Sequence, residues 1–187
     1  MLTHVKNSLF ILIVSFLYCF NISYSQKTYE TKQGTVIINT KYGDSSLSSI
    51  SKSVIMRLDY TTSILKMEVD LKSLKTGIDT LDNLLENSQS KMYFEADLGL
   101  PEIDTKNHSL QTLKFNGFVY SNKSKKKLNV LGKGKIQHIS EKSDIASCML
   151  WLDFTFNTSK LNWDLPAYNL DKNLNVQIIQ VILSRNN

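Results

Sequence analysis

The sequence predicts a mainly β, antiparallel domain of about eight strands with one amphipathic helix. Three observations predict it. Several segments alternate apolar and polar residues with a period of two, the pattern of half-buried strands. One segment alone has helical apolar spacing, and parallel strands would need a helix at nearly every crossover. Two prolines and seven glycines in 187 residues leave no stretch of linker composition, so one domain is expected. An α/β architecture is thereby excluded, and an antiparallel barrel or sandwich remains.

The first element is not part of that domain. Lys6 precedes an apolar run from Leu9 to Phe20, and Ser23-Tyr24-Ser25 follows as a small-x-small exit, the three parts of a secretory signal. The run is about twelve residues, whereas a spanning helix needs roughly twenty. The expected reading is a cleavable signal over 1–25 and a mature domain over 26–187, periplasmic or secreted, with no transmembrane segment after cleavage. Cys19 follows Phe16-Leu17-Tyr18 rather than small residues, which argues against lipidation. Cleavage takes away Lys6 and Cys19. Net charge then falls from +5 to +4, and Cys148 is left as the single cysteine. One cysteine forms no internal disulfide, so the fold rests on its apolar core.

Gly34–Asn39 and Val54–Tyr60 are the first, weaker strand candidates, with a turn at Gly43-Asp44. Leu65 to Leu71 is the clearest strand: Leu65, Met67, Val69 and Leu71 on one face, Lys66, Glu68 and Asp70 on the other. The helix is placed at about 73–87. Leu74, Ile78, Leu81 and Leu85 form its stripe, Ser73 or Thr76 its cap, and Asp79 and Asp82 sit early, where the helix dipole favours acids. Met92–Leu98 follows, then Thr112–Tyr120 with Leu113, Phe115 and Val119 on one face. Ser121 to Ser124 reads as a turn, continuing into the lysine cluster 123–127. Leu128–Ile139 is another strand, and its Gly132 and Gly134 mark a bend or bulge. Cys148–Phe156 puts Leu150, Leu152, Phe154 and Phe156 opposite Trp151, Asp153 and Thr155. The last strand, Val176–Ile182, is apolar on both faces and expected to be covered on both.

No catalytic set emerges from these residues. His108 and His138 have no second ligand at metal-binding spacing, and no cofactor is implied. Cys148 begins a core-facing strand, where a free cysteine is a small hydrophobe rather than a nucleophile. Glu95 and Asp97 share a strand face that reads as the solvent side. The 123–127 lysines lack interleaved aromatics and read as a solvated hairpin tip, not a nucleic-acid site.

Gly34-Thr35-Val36-Ile37-Ile38, the strand ending in Val69-Asp70, the segment Ser73-Leu74-Lys75-Thr76-Gly77, and the helix with Asp82 near Leu84-Leu85 occur in an order that resembles the YceI-like family. The end fits as well: an alternating strand Leu150–Phe156, a loop with Leu161-Asn162-Trp163, and a last strand Leu174-Asn175-Val176-Gln177-Ile178. Departures fall between these landmarks. Lys91 to Ala96 lacks the family's Tyr-Pro, and 99–110 looks inserted or rebuilt. The resemblance implies a lipocalin-like, closed antiparallel barrel whose apolar interior, in some members, holds an isoprenoid chain such as a quinone tail. The interior positions it implies are Leu65, Met67, Val69, Leu71, Leu113, Phe115, Leu150, Leu152, Phe154 and Phe156. The expected function is therefore a non-enzymatic binding protein for an isoprenoid or other lipid-like molecule. The alternative is an envelope interaction or structural module with a filled barrel. A homodimer is left open.

Overall fold

The computed structural model describes residues 28–100, 108–124, 126–140, 146–161 and 169–185. The predicted leader, Lys125, Trp163 and most of the 99–110 loop lie outside the described residues.

Eight strands form a closed barrel in sequence order: β1 (Thr28–Tyr42), β2 (Ser45–Asp59), β3 (Ile64–Asp70), β4 (Lys91–Asp97), β5 (Gln111–Ser121), β6 (Leu128–Ser140), β7 (Ser147–Asn157) and β8 (Asn173–Arg185). Every neighbouring pair is antiparallel, and β8 returns to β1 to close the wall. Closure leaves no unpaired sheet edge along the paired lengths, which suits a chain whose connections are mostly short. Gly43-Asp44 is the β1–β2 turn, with Gly43 at φ +60 as such a turn requires.

The strands are longer than their alternation suggests, because β1, β2 and β8 slip phase at bulges, as β6 does at Ile139 near its end. In β1, Lys32 and Gln33 face Ile55 alone. In β2, Lys52 and Ser53 face Thr35 alone. In β8, Ile179 and Gln180 face Trp151 alone. Each extra residue moves the inward positions by one. This corrects the reading of the last strand. Its two apolar faces are one inward face interrupted at Gln180 (φ +49): Val176 and Ile178 point in before the bulge, Val181 and Leu183 after it, and Ile179 and Ile182 are exposed.

The helix α1 spans Asp79–Glu86, shorter than the predicted 73–87. Leu71–Ser73 form a 3-10 turn instead. Lys75 then spends its amide and carbonyl on Ile50 of β2, at 2.9 Å each, and Gly77 sits at φ +76. Asp82 holds this entry open: its carboxylate accepts from the Thr76 amide (2.7 Å), the Thr76 hydroxyl (2.7 Å) and the Gly77 amide (3.3 Å). Burial alone would raise the Asp82 pKa, but those hydrogen bonds from Thr76 and Gly77 outweigh it and hold the carboxyl below its ordinary value. The expected stripe survives in altered form. Leu74 and Leu81 are buried and Leu85 packs against the core, but Leu74 reaches it from extended backbone.

Candidate functional site

The barrel interior is the first candidate. All ten predicted positions point into it and are buried. Leu65, Val69 and Leu150 are 0% exposed, Met67, Leu71, Leu152 and Phe154 2%, and Phe115, Phe156 and Leu113 4%, 6% and 7%. Most of these side chains pack directly on one another, and Leu113, Phe115 and Phe156 keep the most exposure of the ten. An aromatic cluster occupies the middle. The Phe154 ring stacks on Phe94 at 4.5 Å, and Phe115 meets both edge-on at 5.6 Å (Phe94) and 6.1 Å (Phe154). Phe156 lies 6.4 Å from Phe154. Phe94, on β4, was not among the predicted positions, although it lies in the weaker strand candidate Met92–Leu98, on the face opposite Glu95 and Asp97.

Three inward glycines let neighbouring groups approach the wall closely: Gly132 the Phe115 ring, Gly134 the side chains of Leu152 and Leu113, and Gly117 Ala96. Gly117 lies on β5, Gly132 and Gly134 on β6. A Cβ on Gly132 would come within 2.1 Å of Phe115 Cζ, and one on Gly134 within 2.6 Å of Leu152 Cδ2. No register shift occurs at Gly132 or Gly134 in either neighbouring ladder. They are therefore not a bulge; they are flat wall against which Phe115, Leu113 and Leu152 lie.

Polar groups gather at the end of the barrel away from α1. There Tyr60, just past β2, shares a 2.5 Å hydrogen bond with Nε2 of buried His138. Its ring lies 4.7 Å from Tyr29 and 5.6 Å from His138. Cys148 packs in the same cluster. Burial pushes its thiol up to about 12, against the lowering effect of a hydrogen bond from Tyr60. Burial, and then Cys148, pushes the Tyr60 phenol far above its ordinary range. Cys148 is thus a protonated core residue at neutral pH, and no nucleophile.

A pH effect follows. The unfolded thiol ionises from about pH 9, whereas the native one stays protonated up to about 12. In that window the native state binds more protons than the unfolded state, so stability is whole below pH 9 and falls as pH rises. The expected loss is roughly 1.4 kcal/mol per pH unit. Urea midpoints at pH 8 and pH 10 should separate in the wild type and separate less in Cys148→Ala. Equal slopes in the two proteins would contradict the assignment.

The second candidate lies outside the wall. An open groove of about 1040 Å³ crosses β5 to β8. Its floor includes Leu113, Leu152 and Ile178, and its exposed rim Lys114, Lys133, Lys135 and Ile179. Trp151 and Asp153 are half-buried within it. Of the ten interior positions, Leu113 and Leu152 also border this groove.

The remaining sequence motifs resolve simply. Glu95 and Asp97 flank inward Ala96 on the solvent side, and Asp97 accepts from the Gly99 amide at 2.9 Å. His108 is exposed. Lys127 is not merely solvated: its ammonium lies 4.9 Å from the Tyr120 ring centre and 5.7 Å from that of Phe118, and Tyr120 stacks on Tyr93 at 5.3 Å. The aromatics absent from the lysine run are supplied by β4 and β5.

No family model matches the chain, and no curated protein matches it in sequence. Among solved structures it is similar to a polyisoprenoid-binding domain from Saccharophagus degradans implicated in plant cell wall breakdown. The TM-score is 0.65, with 7% identity, over 86% of this chain and 99% of that one. At that identity the likeness establishes the fold: a closed eight-stranded antiparallel barrel with one helix.

Proposed function

We propose that this protein is an exported, non-enzymatic, YceI-like binding protein that holds an apolar, lipid-like molecule in its barrel, with an isoprenoid chain as the ligand class. The observation that carries the reading is an interior lined by apolar side chains alone through its middle, in a fold shared over nearly its whole length with a polyisoprenoid-binding domain. An apolar chain gains about 0.8 kcal/mol per methylene removed from water, without needing a polar partner. Phe115, Phe156 and Leu113, the interior residues that keep a little exposure, are the place where such a chain would begin to part the ring cluster. The predicted leader puts the domain in the periplasm or outside the cell.

One observation favours a second reading, a filled barrel whose surface does the work: seven of the ten interior positions are at most 2% exposed. Solvent extraction of the purified protein followed by mass spectrometry separates the two. One apolar species near one molecule per chain is expected. Repeated preparations that yield no apolar molecule would favour the filled barrel.

A further inference from the structure

The groove outside the barrel carries chemistry that the interior does not use. The strand registers place its side chains in two rows on the outer face. One row runs Lys114, Lys133, Asp153, Gln177 across β5, β6, β7 and β8. The other runs Thr112, Lys135, Trp151 and ends beside Ile179 at the β8 bulge. Lys114 and Lys133 are direct cross-strand partners, an arrangement of like charges that destabilises a sheet. Lys135 lies one pleat along. The ion pairs among the described residues, Arg57–Glu30, Lys72–Asp70, Lys75–Glu86 and Lys91–Glu68, engage none of these three lysines. Among the described residues lining the groove, one carboxylate stands against the three ammonium groups: Asp153, whose Oδ1 accepts from Asn175 at 2.9 Å.

We propose that this groove binds an acidic oligosaccharide, a chain of sugar rings bearing carboxylates. The three lysines meet the negative charges, and the indole of Trp151 gives a sugar ring a flat apolar face to lie on. Asp153 and the amide of Gln177 offer acceptors for hydroxyl donors, which an acidic sugar has and a polyphosphate lacks. A single-stranded nucleic acid stacks successive bases on several aromatics, and among the described residues this groove offers one, Trp151. A lipid surface calls for apolar groups that protrude, whereas these line a depression. At about 1040 Å³ the space is at the upper end of single-molecule sites, room for several rings.

The test is calorimetric titration of the full chain with a short oligogalacturonate. A neutral cello-oligosaccharide and single-stranded DNA of similar length serve as comparisons. The acidic sugar should bind, and both comparisons should bind about ten-fold more weakly or not at all. Lys133→Gln with Lys135→Gln should cost about ten-fold in affinity, and Trp151→Ala about five-fold. Lys52→Gln on exposed β2 should change nothing. Should Trp151→Ala fail to fold, the lysine pair decides alone. Absent binding of oligogalacturonate, equal binding of DNA, or affinity indifferent to the lysine pair would each overturn the proposal. None of these outcomes bears on a ligand inside the barrel.

Discussion

Replacing Phe154 with alanine is expected to remove about 3–5 kcal/mol of folding stability, the largest single loss in this protein. The residue is 2% exposed, stacks on Phe94 and lies edge-on to Phe115, so truncation deletes a ring that three strands share. Urea unfolding measures the loss. Phe94→Ala should cost a similar amount, and the double variant should cost less than the two added together. The stacked pair is worth about 0.5–1.5 kcal/mol beyond its buried area, and that part can be lost only once. A loss below about 1 kcal/mol for Phe154→Ala would mean that the ring cluster is not the centre of the core.

The second large effect comes from residues that have no side chain. Gly134→Ala places a methyl 2.5 Å from the Trp151 carbonyl oxygen, and Gly132→Ala places one 2.1 Å from Phe115 Cζ and 2.8 Å from the Asp153 carbonyl oxygen. Each should cost about 1–3 kcal/mol by overpacking. The two differ in how they can be relieved. The nearest obstacle at Gly132 is the tip of a ring, so adding Phe115→Leu should recover part of the loss. At Gly134 the nearest obstacle is backbone, and Leu152→Ala should recover nothing. Thermal melts of the four variants measure this difference, and equal rescue at both positions would refute the packing described for β6.

Much of this was legible in the sequence, for reasons that can be located. β3, β5 and β7 keep strict alternation over their length, so Leu65 to Leu71, Leu113 to Val119 and Leu150 to Phe156 gave both the strand and its inward face. β1, β2 and β8 hide their length because each carries an extra residue that reverses the phase partway. A two-residue period counted across such a slip cancels itself. The helix was overextended because the spacing of Leu74, Ile78, Leu81 and Leu85 is helical even where the backbone is not. Pairing of Lys75 with Ile50 and the positive φ of Gly77 are tertiary and conformational facts that no apolar spacing records. The outer groove escaped notice for a related reason. Lys114, Lys133, Lys135 and Trp151 look like ordinary solvent-face residues along the chain, and only the register brings them side by side.

The central claim is that the barrel interior takes an apolar chain. It is tested most directly by methyl-resolved NMR of the delipidated protein titrated with a neutral isoprenoid alcohol such as geranylgeraniol. The account predicts shifts in the interior methyl groups of Met67, Leu113, Leu150 and Leu152. Exposed Leu131 and Ile182 should stay in place. Shifts confined to exposed methyl groups, or none at saturating ligand, would contradict it.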